Sequence, residues 1–205
     1  MVDVAHVIGN GPSGGLYNPA RGIKMLCNLP PVAVPNAWAT AMVDFKMMHA
    51  IHREGVQVPG EWVLGYRPKV YMDKNPSFYM KNSRVIKQFY TELPKYAILD
   101  GDVGKGYTNF NCGHMATHYV ANQLKAAEIH MYGFDSIFDF DLKSFTDTYL
   151  ASDRGNNNTA RLVDIWRKVW VGMFTEFSDR QFVIHNRHNS SKVQLPNNVE
   201  VRTKK

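Results

Sequence analysis

The chain opens on Val4-Ala-His-Val-Ile8, a short apolar run that stops abruptly in Gly9-Asn-Gly-Pro-Ser13. A run of that length bounded by a glycine turn predicts a buried first strand. In an open α/β sheet, the turn after the first strand is where phosphate-bearing ligands settle. Small residues there let backbone N–H groups approach an anion. Gly9, Asn10, Gly11 and Ser13 are therefore the first candidate nucleotide-binding residues. Gly9, Gly11 and Gly14 have the spacing of a dinucleotide fingerprint, but Pro12 interrupts it. The second candidate strand ends in Asn28 rather than in an acidic residue. A nucleotide pocket other than an NAD site is the expectation.

Further strand-length apolar runs occur at Ile23–Cys27, Thr40–Val43, Trp62–Tyr66, Ala97–Leu99, Glu128–Tyr132 and Gln181–Ile184. They alternate with helix-like segments, which predicts an α/β fold with a mostly parallel sheet, a three-layer Rossmann-like arrangement. The clearest helix covers 112–126 and sets Met115, Tyr119, Val120 and Leu124 on one face. A second, from Thr159 to about Phe177, carries a wide apolar stripe including Leu162, Trp166, Trp170 and Phe174. The glycine-rich stretch 100–111 and the polar stretch 152–158 predict mobile loops.

The chain has 205 residues, 44% hydrophobic and 20% charged, which sets the expectation of one domain over 1–205 with a substantial core. No apolar run approaches the roughly 20 residues of a membrane span, so no membrane association is expected. No secretion signal is legible at the N-terminus. The two cysteines, Cys27 and Cys112, suit free thiols in a reducing cytoplasm. The net charge of +6, concentrated partly in a basic tail from about Arg202, favours anionic partners such as nucleotides or nucleic acid.

Polar residues gather where strands end: Asn10 and Ser13, Asn28, Asp44, and Asp135, with Asn111 just before the 112–126 helix. Amides and hydroxyls at that edge suit ribose, base edges and phosphate oxygens. His114 and His118 stand at i, i+4, and His49 and His52 form another close pair. Neither belongs to an H-E-x-x-H pattern or a completed ligand set, so no metal is expected. His114 opens its helix at the crevice and is the candidate for a substrate contact. Tyr17 and Trp38 are possible stacking surfaces.

Ile8-Gly-Asn-Gly-Pro-Ser13, Leu26-Cys-Asn28, and Asn111-Cys-Gly113 leading into the segment 121–135, which ends Gly133-Phe-Asp135, resemble the bacterial sialyltransferases that use CMP-sialic acid. They are also similar to the related pterin-pyrophosphokinase-like family. The segment 182–201 resembles the last strand and polar Asn-Ser stretch of both. The resemblance implies a metal-independent glycosyltransferase with a nucleotide sugar as substrate and no cofactor. In its terms Asn10 and Asn28 bind the nucleotide, Asp44 contacts the donor, and Asn111, Cys112 and Gly113 line the same pocket. Asp135 lies on the substrate side.

One departure stands out. The resembled sialyltransferases carry a catalytic histidine between the Gly-x-Asp strand and the last helix, and no histidine lies between Tyr132 and Arg180 here. Asp153 is the first candidate replacement for that base, with Arg154 beside it to offset phosphate charge. His185 and His188, following the last candidate strand, are the reserve. The alternative function is a protein that kept the nucleotide pocket, lost the base, and sequesters its ligand. A nucleic-acid base is an acceptor the basic charge would suit.

Overall fold

The computed structural model describes residues 2–98, 110–138, 145–150, 159–188 and 193–204, with the backbone alone at 147, 148 and 159–163. Its strands are β1 (Val4–Ile8), β2 (Ile23–Cys27), β3 (Ala39–Met42), β4 (Glu61–Leu64), β5 (Ile86–Phe89), β6 (Glu128–Tyr132), β7 (Gln181–Asn186) and β8 (Val199–Thr203). They form one eight-stranded sheet in the order β5-β4-β3-β2-β1-β6-β7-β8, with every neighbouring pair parallel. The helices are α1 (Phe45–Glu54), α2 (Tyr66–Lys74), α3 (Pro76–Asn82), α4 (Cys112–Asn122), α5 (Thr146–Tyr149) and α6 (Thr159–Glu176). The fold is α/β, as its alternating pattern predicts.

Pleating divides the strand residues between two faces. One face presents Ala5, Val7, Met25, Ala41, Met131 and Ile184 to the buried side of α4 and α6, including Met115, Val120, Trp170 and Phe174. Fully burying such a large apolar side chain contributes about 1.5–3 kcal/mol, which makes this layer the main source of cohesion. The opposite face is covered over β3 and β4 by α1, α2 and α3, through Met47, Met48, Tyr71, Met72 and Phe78. Over β1 and β2 it is covered by the 3-10 turn Pro12–Leu16 and its sequel, where Tyr17 packs on Ile8, Leu26 and Tyr132. Tyr17 is thus core. Trp38 precedes β3, against Tyr119 and beneath the Lys87 ammonium, at the end of the strand away from the crevice.

Two strand expectations are corrected. Ala97 ends the 3-10 turn Lys95–Ala97 and Leu99 lies outside the described residues. That run is apolar because the segment packs beneath α6, where Tyr96 comes within 2.7 Å of a Cβ built on Gly172. The fifth strand is instead Ile86–Phe89, an edge strand with an exposed lysine and little apolar signal. The basic tail also begins later than expected, since Arg202 and Thr203 complete β8 by pairing with His185 and Asn186. Charge alternation on β8 suits an exposed sheet edge.

Candidate active site

The chain moves outward from β1 to β5 and then returns to place β6 on the other side of β1. Such a reversal opens a crevice beyond the carboxyl ends of the two central strands. Two glycine turns meet there, Gly9-Asn-Gly11 after β1 and Gly133-Phe-Asp135 after β6. Gly9 N–H donates to Tyr132 O at 2.6 Å and Gly11 N–H to Gly133 O at 2.9 Å. A Cβ on Gly9 would lie 2.8 Å from Gly133 O, and Gly133 itself has φ +77°. Only glycine allows this backbone-to-backbone approach.

The carboxylate of Asp135, 1% exposed, fills the cradle. It accepts from Ser13 N–H at 2.9 Å (Oδ2), from Ser13 Oγ at 2.5 Å (Oδ1), and from His188 Nε2 at 2.9 Å (Oδ1). The turn is therefore not the open anion cradle expected of Gly9, Gly11 and Ser13. Their N–H groups face β6 and its aspartate, and a carboxylate already holds the place of a phosphate. Asp135 is likewise too deeply buried for the substrate contact expected of it.

What Asp135 does is hold His188. A carboxylate can only accept, so Nε2 carries the proton and Nδ1 is left as the basic lone pair. Nδ1 has no hydrogen-bond partner among the described residues, and the side chain is 29% exposed. The backbone is fixed as well. Asn186, at the end of β7, donates from Nδ2 to His188 O at 2.7 Å and accepts His188 N–H on Oδ1 at 3.1 Å. Arg187 N–H donates to Ser13 Oγ at 3.1 Å, tying the loop after β7 to the turn after β1. The Arg187 guanidinium lies 3.3 Å from the position of a Cβ on Gly15, which brings a cation to the rim.

Around this centre, Asn10 and Asn28 each keep a buried Oδ1 with no partner among the described residues. Asn28 is in the left-handed region (φ +48°) at the end of β2, and Asn10 O accepts Phe145 N–H at 2.7 Å. Asp44 follows β3 and pairs with Arg67 at 3.1 Å, a partner contributed by the start of α2. Asn111 caps α4, accepting His114 N–H at 3.0 Å. Gly113 packs on Phe134, which a Cβ there would meet at 2.6 Å. The Cys112 thiol donates to Ala41 O at 2.8 Å. Burial, then the neighbouring Cys27, pushes it well above its ordinary value, so it is no nucleophile.

His114 is not exposed to the crevice. It is fully buried, its Nδ1 accepts Asn111 N–H at 3.2 Å, and its Nε2 faces Trp166 O at 3.2 Å. His185 is also separate from His188, because strand pleating turns it onto the sheet face with His130 and Tyr132. Asp153 and Arg154 lie outside the described residues. Among the described residues, no group of three or more His, Cys, Asp or Glu is placed to hold a metal ion, and no helix is long and apolar enough to cross a membrane.

Asn186, Arg187 and Arg67 are site residues that sequence reasoning passes over. An asparagine two residues before a histidine is the one local signal available, since Asn side chains close such turns on their own backbone. No protein-family model, curated protein or solved structure matches this chain to a significant degree.

Proposed function

We propose that the chain is a group-transfer enzyme of the glycosyltransferase type, taking a nucleotide sugar as donor and using His188 as general base. The observation that supports this best is the Asp135–His188 pair at the switch point, with Nδ1 of His188 unpartnered among the described residues. A carboxylate behind a histidine fixes the tautomer and steadies the imidazolium that forms on proton transfer. In the proposed step, His188 Nδ1 takes the proton of an acceptor hydroxyl. The freed oxygen attacks the anomeric carbon, and the bond from that carbon to the phosphate oxygen breaks. The nucleotide leaves with the bonding electrons. Arg187 is the cation available to its phosphate charge, and the Oδ1 atoms of Asn10 and Asn28 suit N–H or O–H donors of base and ribose. No metal enters this scheme.

The test is a panel of CMP, UDP, GDP and ADP sugars read by thermal shift and by release of free nucleotide. A donor at one hundred times its dissociation constant adds about 2.7 kcal/mol of stability. His188→Ala is expected to bind that donor as wild type does and to turn it over about 10²–10⁴-fold more slowly. Binding without turnover in the wild type would favour the sequestering alternative. No shift with any donor, or full turnover by His188→Ala, would overturn the assignment.

A further inference from the structure

On the sheet face opposite α4 and α6, β6 and β7 have little apolar cover among the described residues beyond Tyr17, which packs on Tyr132, whereas parallel sheets normally bury both faces. His6, His130, Tyr132 and His185 stand there and line an open cavity of about 360 Å³ whose other wall is the segment 18–21. The rings are ordered. His6 stacks on His130 at 5.0 Å between centroids, and Tyr132 on His185 at 4.2 Å with planes 9° apart. A hydrogen-bonded chain runs from Glu128 to His130 Nε2, and from His130 Nδ1 to His185 Nε2 at 2.9 Å.

Charge selects the ligand. Arg21 and Lys204 line the cavity, and neither side chain has an ion-pair partner among the described residues. Lys24 and Arg202 add positive potential at His6 and His185. Against them, Glu200 is tied to Arg202, and Glu128, hydrogen-bonded to His130, sets one carboxylate on the cavity wall. Arg21 and Lys204 outnumber it, so the net charge of the lining is positive. A metal cation fits poorly, because His6 is engaged at both nitrogens (Tyr132 Oη at 3.3 Å, Arg21 O at 3.0 Å) and His130 is engaged at both as well. A cavity of this size exceeds a lone oxyanion and falls in the range of small-molecule sites.

We propose that this cavity binds a small phosphomonoester, its oxyanion taken by Arg21 and Lys204 and by Nδ1 of His185, the ring nitrogen of the cluster left without a hydrogen-bond partner among the described residues. The bound anion favours an imidazolium in the cluster. Burial holds His185 down at about 4, with His130, Arg202, Lys204 and His6 acting in the same direction. Burial also lowers His6, opposed by its hydrogen bond to Arg21 O and, more weakly, by Glu128, and reinforced by His130 and Lys24. Binding therefore takes up a proton and tightens on acidification.

Sulfate is the probe for the pH dependence, since its own charge is constant between pH 5.5 and 7.5. Calorimetry on the full chain should show affinity rising by up to about tenfold per pH unit as the pH falls, the limit for one proton taken up. Arg21→Ala combined with Lys204→Ala should weaken sulfate at least tenfold at pH 5.5. His185→Gln should flatten the pH dependence, and His188→Ala should leave sulfate affinity unchanged. Ribose 5-phosphate should bind at least tenfold more tightly than sulfate. Sulfate affinity that ignores pH, survives the double substitution or vanishes with His188→Ala would overturn the proposal. So would ribose 5-phosphate binding no better than sulfate, or zinc binding where both anions fail.

Discussion

Replacing Gly11 by alanine tests the geometry at the centre of the site. A Cβ there would sit 2.1 Å from Asp135 Oδ2 and 2.8 Å from Gly133 O. Gly133 O is fixed by the Gly11 N–H, so the carboxylate has to move. It cannot swing aside and still accept from Ser13 N–H at 2.9 Å and His188 Nε2 at 2.9 Å. Hydrogen bonds to a charged group contribute about 1.5–3 kcal/mol each, so losing two puts the cost near 3–6 kcal/mol. That is a large part of the roughly 5–15 kcal/mol that holds a domain folded. In a chain of this size each kcal/mol lowers Tm by about 2–4 °C, so a fall of about 6–24 °C is expected. Gly55→Ala supplies the control. Its φ is +70° but no atom lies within 4 Å of the new Cβ, so only left-handed strain of about 1–2 kcal/mol applies. Urea unfolding of both variants decides between the two magnitudes. If Gly11→Ala proves no more destabilising than Gly55→Ala, the packing of Asp135 into the glycine turn is wrong.

Asn111→Ala removes the cap on α4 and strands His114 N–H, so chemical denaturation should show a loss of about 1 kcal/mol; an unchanged midpoint would contradict the capping role. The histidine cluster predicts an acid-sensitive fold. His185 is held at about 4 against the ordinary 6.5, so the unfolded chain takes its proton first as pH falls. Stability is therefore lost between about pH 6.5 and 4. The ceiling is about 3 kcal/mol, reduced by solvent screening at this half-buried position to about 1 kcal/mol. Urea titrations at pH 7 and 5 should show about half of that loss, and His185→Gln should lessen it.

The central strands are legible in the sequence because each is a short apolar run closed by glycine or asparagine. β1, β2 and β6 have the bounds that pattern gives. The edges are not. Ile86-Lys-Gln-Phe89 and Val199-Glu-Val-Arg-Thr203 are half-exposed, and their strand character comes from pairing with β4 and β7 rather than from their own hydrophobicity. The site divides in the same way. A crevice after β1, and a histidine after the last central strand, follow from local pattern. That Asp135 would enter the β1 turn and grip His188 depends on contacts spanning 122 and 53 residues. No spacing rule encodes such contacts. His114 misleads for a related reason, since a helix-opening histidine reads alike whether it faces a ligand or closes a capping box beneath Trp170.

The orientation of His188 by Asp135 underlies the proposed chemistry and can be observed directly by long-range 1H–15N NMR of the imidazole rings. With Nε2 donating to Asp135 Oδ1 at 2.9 Å, neutral His188 should show one tautomer, with the proton on Nε2 and a bare Nδ1. In Asp135→Asn that preference should weaken or vanish while the signals of His114, held by Asn111 and Trp166, stay in place. A proton on Nδ1 in the wild type, or an even mixture of tautomers unaffected by Asp135→Asn, would contradict the assignment of His188 as the oriented base.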